Sequence, residues 1–518
     1  MKIHYLGHAG FLVETENDLL IIDPWLSANG AFDMAWFQYP CNHHLMPIIQ
    51  QKIKTTTKNI YIYISHEHKD HFDIDFLSSI AHTKITYLIP NYRKKTLKQH
   101  IQRFSENDIL LINDNGEHQT KDYRIKIYVD DAELNRDSAI LIEDKHTGKK
   151  FLNLNDCKIY DRLHQIKQEE KEIEIFTCQF SGATWHPTCY EYDAATYENI
   201  ATQKMQTKFL AVTKAIETVQ PNLFFPSAGP ACFLDANLFH LNQEPINIFP
   251  KAQVFLHYLE KQKIANDTEI IYLMPDDEIE LEEKTIINHN AQQIKDENEY
   301  ILKYQEKYIE KIQNRIQNRP IVTPSKLLIE LKEELEKKLK NFEAKSQITI
   351  PLYFIFSDAP QTFLKIEFQK NDIKIVSSIQ EENYYTIKTY SYDIQQILDK
   401  YLTWEDFALT FRMKLNRTPD VYQTLIQGFL ILEKEDLMYF SKKMLEKNND
   451  RVIIEVGGSK YLIDKYCPHQ MADLEHSWQT DGRYIVCPRH GWRFDLQNGG
   501  KCMHNNDTIN AICLDEEL

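Results

Sequence analysis

No apolar run in the 518 residues is long enough to span a bilayer, so no transmembrane anchor is expected. The opening MKIHYLGHAGFLVE has neither the basic n-region nor the apolar h-region of a secretory signal, which points to the cytoplasm. Cysteines number only nine and form no dense or regular pattern, which excludes a disulfide-stapled scaffold and fits a reducing compartment. Basic residues are in deficit. Lys+Arg 60 against Asp+Glu 76 gives a net charge of -16, which argues against a nucleic-acid or anionic-membrane surface. Phosphate-loop chemistry is missing too: Gly457-Gly458 and Gly499-Gly500 are isolated pairs, read as β-turns, without a Walker lysine or a strand–glycine–helix context.

What is present suggests a multidomain α/β and β chain of about three to four units. Residues 1–275 alternate short apolar runs with turns, as in LLII before Asp23-Pro24, IYIYI before Ser65-His66, and AILIE followed by FLNLND, the pattern of a layered α/β domain. From Asp276 to about Lys345 the chain turns to Glu, Lys, Gln and Asn. Within it Ile301, Tyr304, Tyr308, Ile312 and Ile316, then Leu327, Leu331, Leu335 and Leu339, recur at spacings of three and four. That predicts amphipathic helices parted near Pro320 and Pro324, the first place to look for a homodimer contact. Residues 346–448 (IPLYFIF, FLKIEF, IKIVSSI, YYTIKTYS, then helical patterns at 394–401 and 422–432) read as an accessory α+β domain, and 449–518 as a small all-β module.

That last module holds Cys467-Pro468-His469 and, twenty residues after its first cysteine, Cys487-Pro488-Arg489-His490. Each short loop can aim one thiolate and one imidazole at a common centre, and zinc would accept such a Cys₂His₂ set. The spacing Cys-x-His, seventeen residues, Cys-x-x-His, followed by Gly491-Trp492 and FDLQNGG, resembles the Rieske family. The resemblance implies a [2Fe–2S] cluster in which Cys467 and Cys487 hold one iron and His469 and His490 the other. CPHQMAD and CPRHGWR lack the extra loop cysteines of respiratory-complex Rieske proteins and are similar to the oxygenase and ferredoxin type. Cys502 and Cys513 lie outside both loops and read as structural thiols.

Directly after IYIYI comes Ser65-His66-Glu67-His68-Lys69-Asp70-His71. His66 and His68 leave the strand two residues apart and can reach one metal, while Asp70 and His71 address the same ion or one beside it. This HxHxDH run, with YLGHAGFLVE and LLIIDPWL before it and FLNLNDC after it, resembles the metallo-β-lactamase fold, an αββα sandwich. The resemblance makes Asp156 a bridging carboxylate and Asp23 an orienting group behind a ligand. The expected metal set is His66, His68, His71 and Asp156, with Asp70 a further ligand or a water-orienting base. The family's additional histidine has no counterpart in VDDAELNRDSAILIE. His8, His43, His44 and His186 are the candidates left for it.

Both motifs in one chain, with IDPWLSANGAFDMAWFQYPCNHH, LNLNDCK, QFSGATWHPTCY, FPSAGPACFLD and CPRHGWRFDL, resemble the CMP-N-acetylneuraminate hydroxylase family, whose animal members carry the Rieske segment first. That resemblance implies an iron-dependent oxygenase (a monooxygenase or hydroxylase). It would take electrons from a ferredoxin- or cytochrome-type donor and its reductase, and spend dioxygen on a small polar substrate such as an amino-sugar nucleotide, amide or amine. Asp70 and His186 are its catalytic candidates, with His186 a ligand or substrate contact on a Gly/Pro loop, while Trp36 and Phe37 read as aromatic packing near His43 and His44. The alternative is a zinc or manganese hydrolase of a phosphodiester, lactone or amide whose Rieske module senses redox state or is structural. A third reading is an electron-transfer or binding protein without turnover.

Overall fold

The computed structural model describes residues 1–132, 134, 136–262, 267–283, 285–287, 294–319, 321–446, 450–469, 471–475, 477–503 and 507–515. They divide into two compact units: Met1–Ala183 with Ala201–Gln313, and Thr184–Ile200 with Asn314–Leu518.

The first unit is built on two sheets. In the first, β1 (Lys2–Gly7), β2 (Gly10–Glu14) and β3 (Asp18–Ile22) form a meander, and β4 (Asn59–Tyr63), β5 (Thr86–Pro90) and β6 (Asp108–Ile112) continue it in parallel with β3. The second runs through β7 (Gly116–Gln119), β8 (Tyr123–Asp130), β9 (Asp137–Asp144), β10 (Lys150–Asn153), β11 (Ile175–Gln179), β12 (Leu223–Ser227) and β13 (Glu269–Ile270). Period-two alternation explains the layering. Leu20 and Ile22 of β3 face Ile125, Ile140 and Phe151 of the other sheet, while Leu19 and Ile21 face the helix Leu45–Thr55 through Leu45, Ile49 and Ile53. Each such side chain contributes roughly 1.5–3 kcal/mol on burial, so a one-residue slip of β3 would be costly on both faces at once. On the far side of the second sheet, Phe209 of helix Ala194–Val219 packs against Phe255 of helix Ala252–Gln262, completing an αββα sandwich.

The Glu/Lys-rich stretch does not begin with helix. β14 (Glu278–Glu280) pairs with β1 and β15 (Thr285–Ile287) pairs with β14, extending the first sheet. The helix Glu297–Gln317 follows, burying Ile301, Tyr304, Tyr308 and Ile312, and then Pro324–Lys340, with its proline in the first turn and Leu327, Leu331, Leu335 and Leu339 buried. Pro320 lies outside the described residues.

In the second unit, β16 (Leu352–Phe356), β17 (Ala359–Glu367), β18 (Asp372–Val376), β19 (Tyr384–Thr389) and β20 (Lys414–Thr418) form one sheet. The segment Thr184–Ile200, which leaves the first unit's chain after β11, pairs with β20 through Tyr190 and Leu415. Beyond it, β21 (Arg451–Val456), β22 (Ser459–Asp464) and β27 (Ile512–Cys513) make a three-stranded sheet. β23 (Trp478–Thr480), β24 (Tyr484–Val486), β25 (Arg493–Asp495) and β26 (Lys501–Cys502) make a four-stranded one. Ile463, Leu474, Ile485, Phe494 and Cys502 fill the core between them, and Cys513 packs at its edge.

Candidate metal centre and cluster site

In the first unit the donors converge because β1, β3 and β4 run in one direction and all end at the same edge. At two of these ends the backbone turns through the left-handed region, at His8 (φ 52) and Asp23 (φ 38). Asn155 (φ 50) does the same just after β10. Few residues other than glycine accept that conformation, and Asn, Asp and His are among those that do. The turns bring together His8, Asp23, His66, Asp70 and His71, all buried, and the half-buried Asp156.

Two overlapping donor sets result, His8 with Asp70 and His71, and His66 with His71 and Asp156. His71 Nε2 lies 3.6 Å from Asp156 Oδ1 and 3.9 Å from Asp70 Oδ2, while its Nδ1 donates to Asp23 Oδ2 at 2.9 Å. Asp23 also accepts from Ser65 N at 2.8 Å and Ser65 Oγ at 2.6 Å. His8 Nε2 donates to Asp70 Oδ2 at 3.1 Å. His66 Nδ1 sits 2.9 Å from Ser65 Oγ and 3.2 Å from Asp137 Oδ1, and the half-buried His68 ring lies 4.5 Å from that of His66. With both Nδ1 atoms engaged, the Nε2 atoms of His66 and His71 are the ones left to face a cation.

The residues fit a metal ion. His71 Nε2, Asp70 Oδ1 and Asp156 Oδ1 are buried and make no hydrogen bond, yet His71 Nε2 faces Asp156 Oδ1 at 3.6 Å. Buried polar atoms so placed are costly unless a cation lies among them. The titration behaviour agrees. Burial raises the Asp70 carboxyl, but the His71 and His8 imidazoles outweigh it and hold it down to about 2. Burial lowers the His71 imidazole, but Asp156 and Asp70 drive it well above its ordinary value. A proton on His71 thus does what a metal ion would do better. Imidazole and carboxylate donors without thiolate suit zinc, iron or manganese.

The remaining candidates belong to neither donor set. His43 Nδ1 meets Tyr308 Oη at 2.6 Å and its Nε2 meets Gln38 Oε1 at 2.8 Å, pinning the Glu297–Gln317 helix to the N-terminal loop, and His44 is exposed. Trp36 and Phe37 pack against Phe32 and Tyr308. His186 belongs to the second unit, where its Nε2 is 3.1 Å from Tyr192 Oη and 3.2 Å from Arg417 Nη2. Asp137 was not anticipated. The sequence signal for it is an acid two residues before the AILIE run, in the stretch that lacks the family's histidine.

In the second unit the two cysteine loops repeat one backbone pattern. Cys467 N donates to Ala472 O at 2.9 Å and Cys467 O accepts from Met471 N at 3.0 Å. Cys487 N donates to Trp492 O at 2.8 Å and Cys487 O accepts from Gly491 N at 2.9 Å. Met471 (φ 57) and Gly491 (φ 70) take the left-handed step that closes each loop. Both thiols are free and buried, and the His469 and His490 rings meet at 4.6 Å. Burial first, then the neighbouring Cys487 thiol, pushes the Cys467 thiol well up. A pair of crowded buried thiols beside two imidazoles whose Nδ1 atoms are buried is the donor set that a Rieske cluster takes up.

Comparison with known proteins agrees with this geometry. Residues 2–138 match the β-lactamase superfamily domain and residues 429–512 the Rieske [2Fe-2S] domain. A protein of Mycobacterium tuberculosis named for a Rieske 2Fe-2S iron-sulfur centre is 26% identical over 97% of this chain and 98% of its own. The inactive cytidine monophosphate-N-acetylneuraminic acid hydroxylase of Homo sapiens is 27% identical over 44% of this chain and 45% of its own. The hydroxylase of Cricetulus griseus is 26% identical over 44% of this chain and 40% of its own. The chain therefore joins a metallo-β-lactamase-like domain to a C-terminal Rieske domain, the combination of the CMP-N-acetylneuraminate hydroxylase-like proteins in reversed order, and it presents a metal-dependent enzymatic site. Among the described residues no helix is long and apolar enough to cross a membrane.

Proposed function

We propose that the N-terminal centre is a metal-dependent hydrolase site for a small polar substrate carrying a phosphodiester, lactone or amide, accompanied by a Rieske domain that senses redox state. The observation that carries this reading is the pair of donor sets sharing His71, because every group hydrolysis needs then lies within one unit. Zinc, manganese or iron bound there would acidify a water and polarise the oxygen of the scissile bond. His66 and His71 keep their Nε2 lone pairs turned inward because Asp137, Ser65 and Asp23 fix the opposite nitrogens. Asp70 is ionised, with Oδ2 held by His8, and its Oδ1 is placed to take the proton of an attacking water. Trp25 stands edge-on against His8 at 5.1 Å and Phe32 against His68 at 5.9 Å, apolar walls that limit water around these groups. His186 has no part in this reading.

A second reading is an iron-dependent, Rieske-coupled oxygenase supplied with electrons by a ferredoxin- or cytochrome-type donor. Its specific support is that the M. tuberculosis relative aligns with 97% of this chain, both domains included, and that animal relatives aligning with 44% of it are hydroxylases by name. Turnover separates the two. Release of product from phosphodiester, lactone or amide probes by anaerobic protein without reductant supports hydrolysis. Oxygen uptake that needs both reduced ferredoxin and an amide or amine substrate, with product mass raised by one oxygen atom, sinks it in favour of the second.

A further inference from the structure

The outer edge of the cluster site is closed by a residue from outside the Rieske span. Tyr422 lies just before the helix Thr424–Ile431 and precedes the matched residues 429–512. Its Oη is 3.2 Å from His469 Nε2. Its ring meets the His469 ring edge-on at 5.4 Å and the Trp492 ring edge-on at 5.6 Å, and Trp492 stacks flat on His469 at 4.4 Å. His469 is thus clamped from two sides, by an indole on its face and a phenol at its outer nitrogen. The other nitrogen, Nδ1, is buried.

We propose that Tyr422 is a positioning residue that sets the reduction potential of the Rieske cluster through its hydrogen bond with His469. With iron on Nδ1, the neutral imidazole carries its proton on Nε2, so His469 donates and the Tyr422 oxygen accepts. An acceptor at that nitrogen makes the imidazole a more basic, more electron-donating ligand, which favours the oxidised cluster and lowers the potential. The accessory sheet and helices thereby reach the cluster's electronics through one side chain, which holds whether the first unit hydrolyses or oxygenates.

The test is a redox titration of the full-length, cluster-loaded protein with dithionite, followed by electron paramagnetic resonance. Tyr422→Phe keeps the ring between His469 and Trp492 and deletes only the oxygen. Its spectrum should match that of the unaltered protein while the potential rises. At fixed potential the oxidised-to-reduced ratio should fall about tenfold, ~59 mV for one electron. Tyr422→Gln, whose carbonyl can again accept, should return part of the shift. An unchanged potential in the phenylalanine variant overturns the proposal. Loss of the cluster spectrum in it also does so, because Tyr422 would then be holding the cluster together rather than tuning it.

Discussion

Replacing Asp23 by Asn tests whether the N-terminal centre is built to hold a metal. The side chain is buried, and its two oxygens accept three hydrogen bonds, from Ser65 N, Ser65 Oγ and His71 Nδ1. Asparagine has the same shape but only one accepting atom. If its oxygen faces His71, its amide nitrogen faces the Ser65 N–H, donor against donor, which costs about 1–3 kcal/mol. If the amide flips, His71 Nδ1 loses its acceptor and the proton moves to Nε2, the atom that must be bare to bind a cation.

Either arrangement weakens the metal. Loss of such an outer partner typically costs 10–100-fold in affinity, about 1.4–2.7 kcal/mol. The assay is competition for zinc or manganese against a chromophoric chelator on the full-length protein. The visible absorption of the Rieske cluster serves as an internal control, because its donors belong to the other unit. An affinity within about twofold of the unaltered protein, with that absorption intact, would refute the argument, since it would mean that His71 does not bind through Nε2.

Three further outcomes follow from the same geometry. Metal at a hundredfold its Kd should stabilise the first unit by about 2.7 kcal/mol, read as a raised midpoint in thermal unfolding that EDTA reverses. Cys487→Ser should abolish the visible spectrum and leave metal binding at the His/Asp group unaltered, measured by absorption and metal analysis. His43, pushed down to about 4 by burial and then by the Lys307 charge, is neutral in the folded chain at any pH above that value. An unfolded histidine takes up its proton near 6.5, so stability should fall as pH drops from about 6.5 towards 4, by up to about 3 kcal/mol. Denaturant titrations at pH 7 and 5 should show this loss reduced in His43→Gln.

The donors were legible in the sequence because they are local. HxHxDH and the two cysteine loops put most of each metal set within a few residues, where spacing alone says which side chains can meet. The strands of the sandwich were legible for a similar reason, since LLII and IYIYI carry their burial pattern in their own composition. β14 and β15 were not: Glu278–Glu280 and Thr285–Ile287 are only three residues each, and they become strands because β1 offers an edge to β14 and β14 offers one to β15. Nor could composition show that Thr184–Ile200 leaves its neighbours to pair with β20. A bridge between residues 190 and 415 leaves no local trace.

The groups that tune the donors are remote, and this is why the chemistry was harder to read than the sites. His71 is oriented by Asp23, 48 residues away, His66 by Asp137, and His469 by Tyr422, 47 residues away. Asp137 matters most for the identity of the reaction. Its carboxylate lies against His66 Nδ1, the nitrogen opposite the one left for a cation, and makes that ring a stronger donor. Removing its charge should therefore shift metal preference as well as affinity. Carboxylate-rich surroundings favour manganese and iron relative to zinc. Asp137→His should move the centre towards zinc in a competition between equal amounts of zinc and manganese, measured by metal analysis after gel filtration. If the ratio of bound metals does not change, Asp137 only orients His66 and accepts from Ser138 N at 2.6 Å, and metal choice rests with Asp70 and Asp156.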